Sequence, residues 1–379
     1  MSLSSKQQRL VVGAMTGTSI DGIDVALVRV FGCGLGMDIE LLAHSGMSLG
    51  PLAADLRRAA NGEAMNAEQF AKLALILGEL HVEAIEQLSV LGKTIDLITV
   101  HGQTIFHQPP ISWQLINPTP IARRFSVPVI SDLRQADLAA GGQGAPITPL
   151  ADWIAFRDAN KRRAIVNLGG FCNVTILPCS EMDDPLSQIE GFDVCACNHV
   201  LDEVARTLLD KPYDDGGKAA LAGQANSTLT EELKSKLLLQ SNANRSLGSG
   251  DELTAWARAH CDEVKVNDLA ATAVSAITQC ISEKLNKSSI HEVILAGGGV
   301  LNAAMVNELS NCCDASVITS DRLGVAAQAR EAMAIAVLGV LCADGIAITL
   351  PQVTGCTAPA PVAGRWTLPQ VPRVQTEQV

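Results

Sequence analysis

The chain has 379 residues, of which 47% are hydrophobic, 18% charged and 3% aromatic, and it carries a net charge of −12. Such a length exceeds one ordinary core, so two domains are expected, and the apolar content excludes a disordered chain. An acidic surface poor in aromatics excludes a nucleic-acid partner, which needs clustered cations and stacking platforms, and no apolar run reaches the length of a membrane span.

In chain order, residues 11–16 and 23–31 read as strands flanking a small polar loop, and 38–43 as a third strand of an antiparallel meander. Residues 66–91 carry Phe70, Leu73, Leu75, Ile76, Leu80 and Ile85 at helical spacing. A buried strand over 95–100 runs into "HGQT", followed by a short helix at 120–125 and a strand at 127–131. The Gly- and Pro-rich stretch "SDLRQADLAAGGQGAPITP" (131–149) marks a loop or domain junction. The opening pattern then restarts, with strands at 164–166 and 173–177 around "NLGGFCN". Helices are expected at 198–209 and 269–287, then a strand at 291–296 entering "GGGVLNAAMVNEL", then a helix at 326–341. After Leu350 only a short ordered stretch is expected.

Each half therefore opens with a glycine-bearing hairpin followed by strands and helices. Together with the later glycine turn, this describes a nucleotide held between two lobes. The expected fold is α/β: two ribonuclease-H-like domains of the actin, hexokinase and heat-shock chaperone kind around a nucleotide cleft. The expected lobes are 1–147 with about 350–379, and 148–349.

A phosphate needs several donors converging on one spot, and Gly17, Thr18 and Ser19 supply backbone N–H and hydroxyl groups. Asp21 and Asp24 repel phosphate, but suit a magnesium ion with its waters between them and the phosphates. The same stretch also serves as a plain hairpin turn, for which Asp21-Gly22 is a standard signal. Gly169 and Gly170 are open to the same two readings. A buried strand is expected to deliver Gly297, Gly298 and Gly299 to the first turn of a helix, where a nucleotide can sit at the helix N-terminus. Asn302 occupies the third glycine position of G-x-G-x-x-G, which argues against a Rossmann dinucleotide site, and no P-loop motif occurs.

Asp193, expected on a loop, suits a general base or a loop and helix-capping residue. Arg134 is placed to clamp a substrate carboxylate, or to pair on the surface with Asp137. Glu331 reads as a solvated edge or as an acceptor for a sugar hydroxyl. His101 and His107 read as structural. "MSLSSKQQRL" is polar and is not a signal peptide, so a cytoplasmic protein is expected. Its 11 cysteines, without a C-x-x-C pair, are read as buried thiols rather than metal ligands.

The stretches "MTGTSIDGIDVALV", "HGQTIFHQP", "DLRQADLAAGGQGAP", "NLGGFCNVTIL", "GFDVCACN", "LAGGGVLN", "EAMAIA" and "LPQVTG" together resemble the anhydro-N-acetylmuramic acid kinase family, in the family's order. The resemblance implies an ATP- and Mg2+-dependent sugar kinase of peptidoglycan recycling. Such an enzyme opens the 1,6-anhydro bridge with water and phosphorylates O6, giving N-acetylmuramic acid 6-phosphate. Gly17, Thr18, Ser19, Ile20, Asp21, Gly22, Ile23 and Asp24 match the family's ATP-binding signature. Asp193 matches its catalytic aspartate, and Arg134 and Glu331 match substrate-binding positions. The resemblance also implies a homodimer that flexes between open and closed states. A kinase for a related amino sugar and a catalytically weakened nucleotide sensor are the alternatives.

Three departures stand out. Thr16 replaces the family's Ser. Val194-Cys195-Ala196-Cys197 replaces a segment close to Thr-Gly-Pro-Gly. If that backbone needs positive φ, Ala or Cys there costs roughly 1–2 kcal/mol, displacing Asp193. Finally, "PLADW" lacks an expected His.

Overall fold

The computed structural model describes residues 8–89, 94–241, 253, 255–261 and 264–370. Its strands are β1 (Gln8–Thr16), β2 (Gly22–Phe31), β3 (Asp38–Ser48), β4 (Leu97–His101), β5 (Gln103–Gln108), β6 (Ile111–Leu115) and β7 (Val129–Ser131). They continue as β8 (Arg163–Leu168), β9 (Phe171–Leu177), β10 (Glu190–Ala196), β11 (Glu292–Ala296), β12 (Ser316–Thr319) and β13 (Arg365–Thr367).

Two compact units result, one of Met1–Gly144, Glu331–Thr349 and Thr357–Val379, the other of Ala145–Arg330 and Leu350–Cys356. The first unit's sheet has the order β13-β7-β4-β1-β2-β3 and the second's β10-β9-β8-β11-β12. In each, the first strand pairs antiparallel with the second and parallel with the fourth. The second and third are antiparallel, the fourth and fifth parallel. Both sheets therefore share the 3-2-1-4-5 strand order of the ribonuclease-H-like fold. β4, β8 and β11 are buried along their whole length, as the inner strands of a covered sheet must be.

The sequence places residues 331–349 with the second lobe and those from about 350 with the first, whereas Leu350–Cys356 belong to the second unit and Glu331–Thr349 to the first. The reason is packing. Gly13 of β1 leaves room for the helix Arg330–Ala343, and a Cβ there would overlap the Ala332 carbonyl and Ala336. Gly339 makes the same allowance for Thr99 of β4. Just past this helix, Asp344 accepts from Arg9 Nη1 at 2.5 Å and Nη2 at 3.0 Å, both side chains being buried.

The helix expected over 66–91 runs Ala67–Glu86; the end of that expectation, at 90 and 91, lies outside the described residues. It starts with a reciprocal cap: Asn66 Oδ1 accepts from Gln69 N at 3.0 Å, and Gln69 Oε1 from Asn66 N at 2.8 Å. The helices expected over 269–287 and 326–341 run Val266–Leu285 and Arg330–Ala343.

Candidate active site

In the first unit, β1 delivers the chain to a tight turn closed by Ile20 N donating to Gly17 O at 3.2 Å. Thr18 and Ser19 are exposed, while Ile20 is turned into the core at 5% exposure. Ile20 has φ +52, a left-handed conformation that costs a β-branched residue about 1–2 kcal/mol. Ser19 Oγ donates to Asp21 Oδ1 at 2.8 Å. Gly22 opens β2, and a Cβ there would lie 2.9 Å from the Met47 carbonyl oxygen. Asp21-Gly22 thus marks the entry to β2, whereas the bend itself lies at Thr18 and Ser19.

Register then assembles a row across this sheet. His101, Met15, Asp24 and Gly46 are lateral neighbours on β4, β1, β2 and β3 and share one face. Burial foremost, then the charges of Glu331 and Asp21, push the Asp24 carboxyl up to about 6. The structure therefore gathers Asp21, Asp24 and Glu331. Among the described residues, no group of three or more His, Cys, Asp or Glu is placed to hold a metal directly. A buried carboxylate destabilised by like charges is nevertheless stabilised by a cation that brings its own waters.

Arg134 Nη1 donates to Gly144 O at 2.6 Å, and its Nε donates to His101 Nε2 at 3.1 Å. Burial, then the Arg134 charge, lowers the His101 pKa to about 3, so the ring is the neutral acceptor this bond requires. Asp137 is no surface residue: it is 3% exposed and its Oδ2 accepts from Gly144 N at 2.6 Å. The junction loop is folded around this residue, with Gly142 so close that a Cβ would overlap the Asp137 carboxylate.

The second unit repeats the row. Ala296, Asn167, Asn173 and Asp193 are lateral neighbours on β11, β8, β9 and β10. Asp193 was expected on a loop but lies within β10, whose ladder with β9 carries it opposite Asn173. A bulge separates Asp193 from Cys195, a device that re-aims side chains beside active sites. Asn167 is 4% exposed, and its Oδ1 has no hydrogen-bond partner among the described residues.

Both glycine turns of this unit converge here. A Cβ on Gly297 (φ +85) would lie 2.7 Å from Asn167 Oδ1, and one on Gly299 would lie 2.6 Å from Leu168 Cβ. Asn198 Nδ2 donates to Leu168 O at 3.0 Å, and the Cys197 and Asn198 amides donate to the Gly170 and Gly169 carbonyls at 2.8 and 3.0 Å. Gly297, Gly298 and Gly299 do not form the first turn of the helix, as the sequence suggested. A short 3-10 turn, Gly298–Leu301, intervenes, and the helix Ala303–Cys312 starts from Asn302. Asn302 Oδ1 accepts from Ala304 N at 3.1 Å and Met305 N at 3.3 Å, which explains its place in the motif and leaves fewer helix donors for a phosphate.

The positive φ considered at 194–197 is absent, although Cys197, at φ −127 and ψ −96, lies outside both the helical and the extended regions. None of Val194, Cys195, Ala196 and Cys197 has positive φ, and all are fully buried. Burial pushes the Cys197 thiol up to about 12; hydrogen bonding to Cys280, then burial, raises Cys195 well above its usual value. These thiols pack as inert apolar groups.

Sequence reasoning missed several neighbours of the site. Gly217 (φ +69) packs so closely on Asn302 that a Cβ would overlap its side-chain oxygen. Asp214, in the same turn, accepts from the Ala219 and Ala220 amides at 2.9 and 3.0 Å; the run "DDGG" was its signal. In the "PLADW" helix, Pro149–Phe156, buried Asp152 accepts from Arg330 Nε at 2.8 Å and Thr175 Oγ1 at 2.9 Å. Nothing in the local sequence marks that pair.

A sequence model described as anhydro-N-acetylmuramic acid kinase matches residues 9–365. A relative of that name from Salinibacter ruber is 32% identical, covering 96% of this chain and 97% of its own. One from Francisella tularensis subsp. novicida is 31% identical over 92% and 96%, and one from Bacillus thuringiensis subsp. konkukian 31% over 86% and 91%. Among solved structures, the activator of 2-hydroxyisocaproyl-CoA dehydratase from Clostridium difficile overlaps 88% of this chain and 95% of its own, with a TM-score of 0.45 and 13% identity.

Proposed function

This chain belongs to the anhydro-N-acetylmuramic acid kinase family, and from that premise we propose that it uses ATP and water to convert 1,6-anhydro-N-acetylmuramic acid into N-acetylmuramic acid 6-phosphate, in peptidoglycan recycling. Phosphoryl transfer asks mainly for positioning and for neutralised charge. The exposed Thr18 and Ser19 offer donors to the phosphates, while Gly169, Gly170, Gly297, Gly298 and Gly299 let the backbone approach the nucleotide. Magnesium, when bound, neutralises charge on the phosphates; Asp24 and Asp21 would hold it through water. The elevated pKa of Asp24 supports that assignment.

Asp193 takes a proton from the water that attacks C1. As the C1–O6 bond breaks, its electron pair passes to O6, and O6 attacks the γ-phosphorus, expelling ADP. The proton from water remains on Asp193 until it is released to solvent. Asn173 and Asn167, on the same row, orient the water through their amides. Arg134, held by His101 and the Gly144 carbonyl, grips the sugar's carboxylate, and Glu331 accepts from a sugar hydroxyl.

The observation that carries this reading is the row that sets Asp193 opposite Asn173 and Asn173 opposite Asn167, the residue against which the Gly297 turn packs. The alternative of a catalytically weakened sensor drew its support from the departure at 194–197, where no residue has positive φ. The protein is further read as a cytoplasmic homodimer; no described helix is long and apolar enough to cross a membrane. Incubation with ATP, magnesium and the anhydro sugar tests the activity. Appearance of the 6-phosphate by mass, with equal ADP, supports it; ADP without phosphorylated sugar, or no turnover, contradicts it.

A further inference from the structure

The bend that presents Thr18 and Ser19 is closed by a residue in an unfavourable conformation. Ile20 is β-branched, has φ +52 and is only 5% exposed. A left-handed residue of this kind persists only where its surroundings over-determine it. Two side chains from other elements reach this bend. Arg57, on the exposed side of the helix Leu52–Ala60, donates from Nη2 to the Ile20 carbonyl at 2.8 Å. Gln103, at the start of β5 and fully buried, donates from Nε2 to the Gly17 carbonyl at 3.1 Å. The two carbonyls lie at the two ends of the bend whose tip is Thr18 and Ser19.

The consequence is geometric. With both carbonyls held and the Ile20 side chain anchored in the core, the N–H groups of Thr18 and Ser19 and the Thr18 hydroxyl have little freedom to turn. Without either clamp, a Ile20 peptide flip relieves the strain and carries the donors away. We propose that Arg57 and Gln103 are positioning residues that lock the strained Ile20 bend in the shape that receives the nucleotide phosphates.

The proposal rests on the reading of this hairpin as the phosphate-binding element, so its test needs a readout independent of nucleotide. Hydrogen exchange on the unliganded full chain supplies one, through the Ile20 amide bonded to Gly17 O and the Leu49 amide bonded to Asp21 O. Arg57→Gln is expected to speed exchange at Ile20 about ten-fold or more, and to raise the KM for ATP by a similar factor with the sugar KM unchanged. Arg57→Lys, which keeps a donor, is expected to recover most of both. Because Gln103 is buried, Gln103→Glu and Gln103→Met are read only where near-wild-type Tm is retained, and Arg57 alone suffices otherwise. Unchanged Ile20 exchange in Arg57→Gln overturns the proposal. Faster exchange with an unchanged ATP KM leaves the clamp standing as a structural device, and contradicts the assignment of this hairpin to phosphate. Loss of sugar affinity equal to that of ATP also overturns the positioning role.

Discussion

Asp193 stands directly opposite Asn173 in the antiparallel pairing of β10 with β9, and Asn173 stands opposite Asn167 of β8. In the first unit the equivalent strands place Met15 opposite Asp24, and Asp24 opposite Gly46. Each duplicated hairpin thus puts a polar pair or a carboxylate one pair below its glycine bend. The first unit carries its carboxylate on the second strand, the second unit on the third. Under the proposed function, the repeat divides charge neutralisation from proton abstraction.

Asp24 is expected to oppose folding of the unliganded protein at neutral pH. Its rise from 3.8 to about 6 corresponds to about 3 kcal/mol. Because the folded pKa is above the unfolded one, this penalty is complete above pH 6 and relieved as pH falls from 6 toward 3.8. Asp24→Asn should therefore raise the Tm of the unliganded protein at pH 7.5, and abolish any extra stabilisation by magnesium with ATP over ATP alone. Calorimetry with and without ligand checks both effects.

Histidines give the opposite sign. Burial first lowers His81 to about 4 and His101 to about 3, so both stay neutral in the fold while the unfolded chain gains protons below 6.5. Stability they protect is intact above pH 6.5 and lost as pH falls toward 4, at up to about 1.4 kcal/mol per pH unit for each group. His107, lowered to about 4, adds a smaller, solvent-screened share. Asp24 offsets only part of this. Thermal melts should show a net loss from pH 7 to pH 5, shallower in His81→Leu; a flat profile contradicts the burial of these rings.

Arg330 and Asp152 form a charge pair buried at 1% and 0% exposure within the second unit. Arg330→Met leaves the Asp152 carboxylate uncompensated and should cost about 3–5 kcal/mol. The double variant Asp152→Leu with Arg330→Met removes both charges and should be milder than the single one. Denaturant titrations of the two variants decide this.

Cys33 is exposed, whereas Cys172, Cys195, Cys197 and Cys280 are fully buried. A maleimide should label Cys33 in the native protein and reach the other four only on unfolding. Rapid native labelling of Cys195 would mean that the segment beside Asp193 opens in solution.

Much of the architecture was legible because it is duplicated: a glycine-bearing hairpin opens each half, and strand-rich and helical stretches follow in the same order. What escaped was long-range. The helix Arg330–Ala343 joins the first unit through Gly13 and Gly339, which read locally as an ordinary strand and an ordinary helix residue. Asp193 read as a loop residue because Gly191 and an Asp lower strand propensity, yet pairing with β9 overrides it. Register, which puts Asn167, Asn173 and Asp193 side by side, depends on which strands become neighbours. Ile20 looked like a spacer in the signature; no propensity argument assigns a left-handed backbone to isoleucine.

Removal of the attacking water's proton by Asp193 is the step on which the proposed reaction depends. It is tested most directly by comparing wild type and Asp193→Asn under saturating ATP, magnesium and anhydro sugar, with 6-phosphate formation followed by mass and nucleotide affinity by calorimetry. The expected result is a rate lowered by about 10²–10⁴ with ATP affinity and Tm retained. Turnover at the wild-type rate in a folded Asp193→Asn protein contradicts the account.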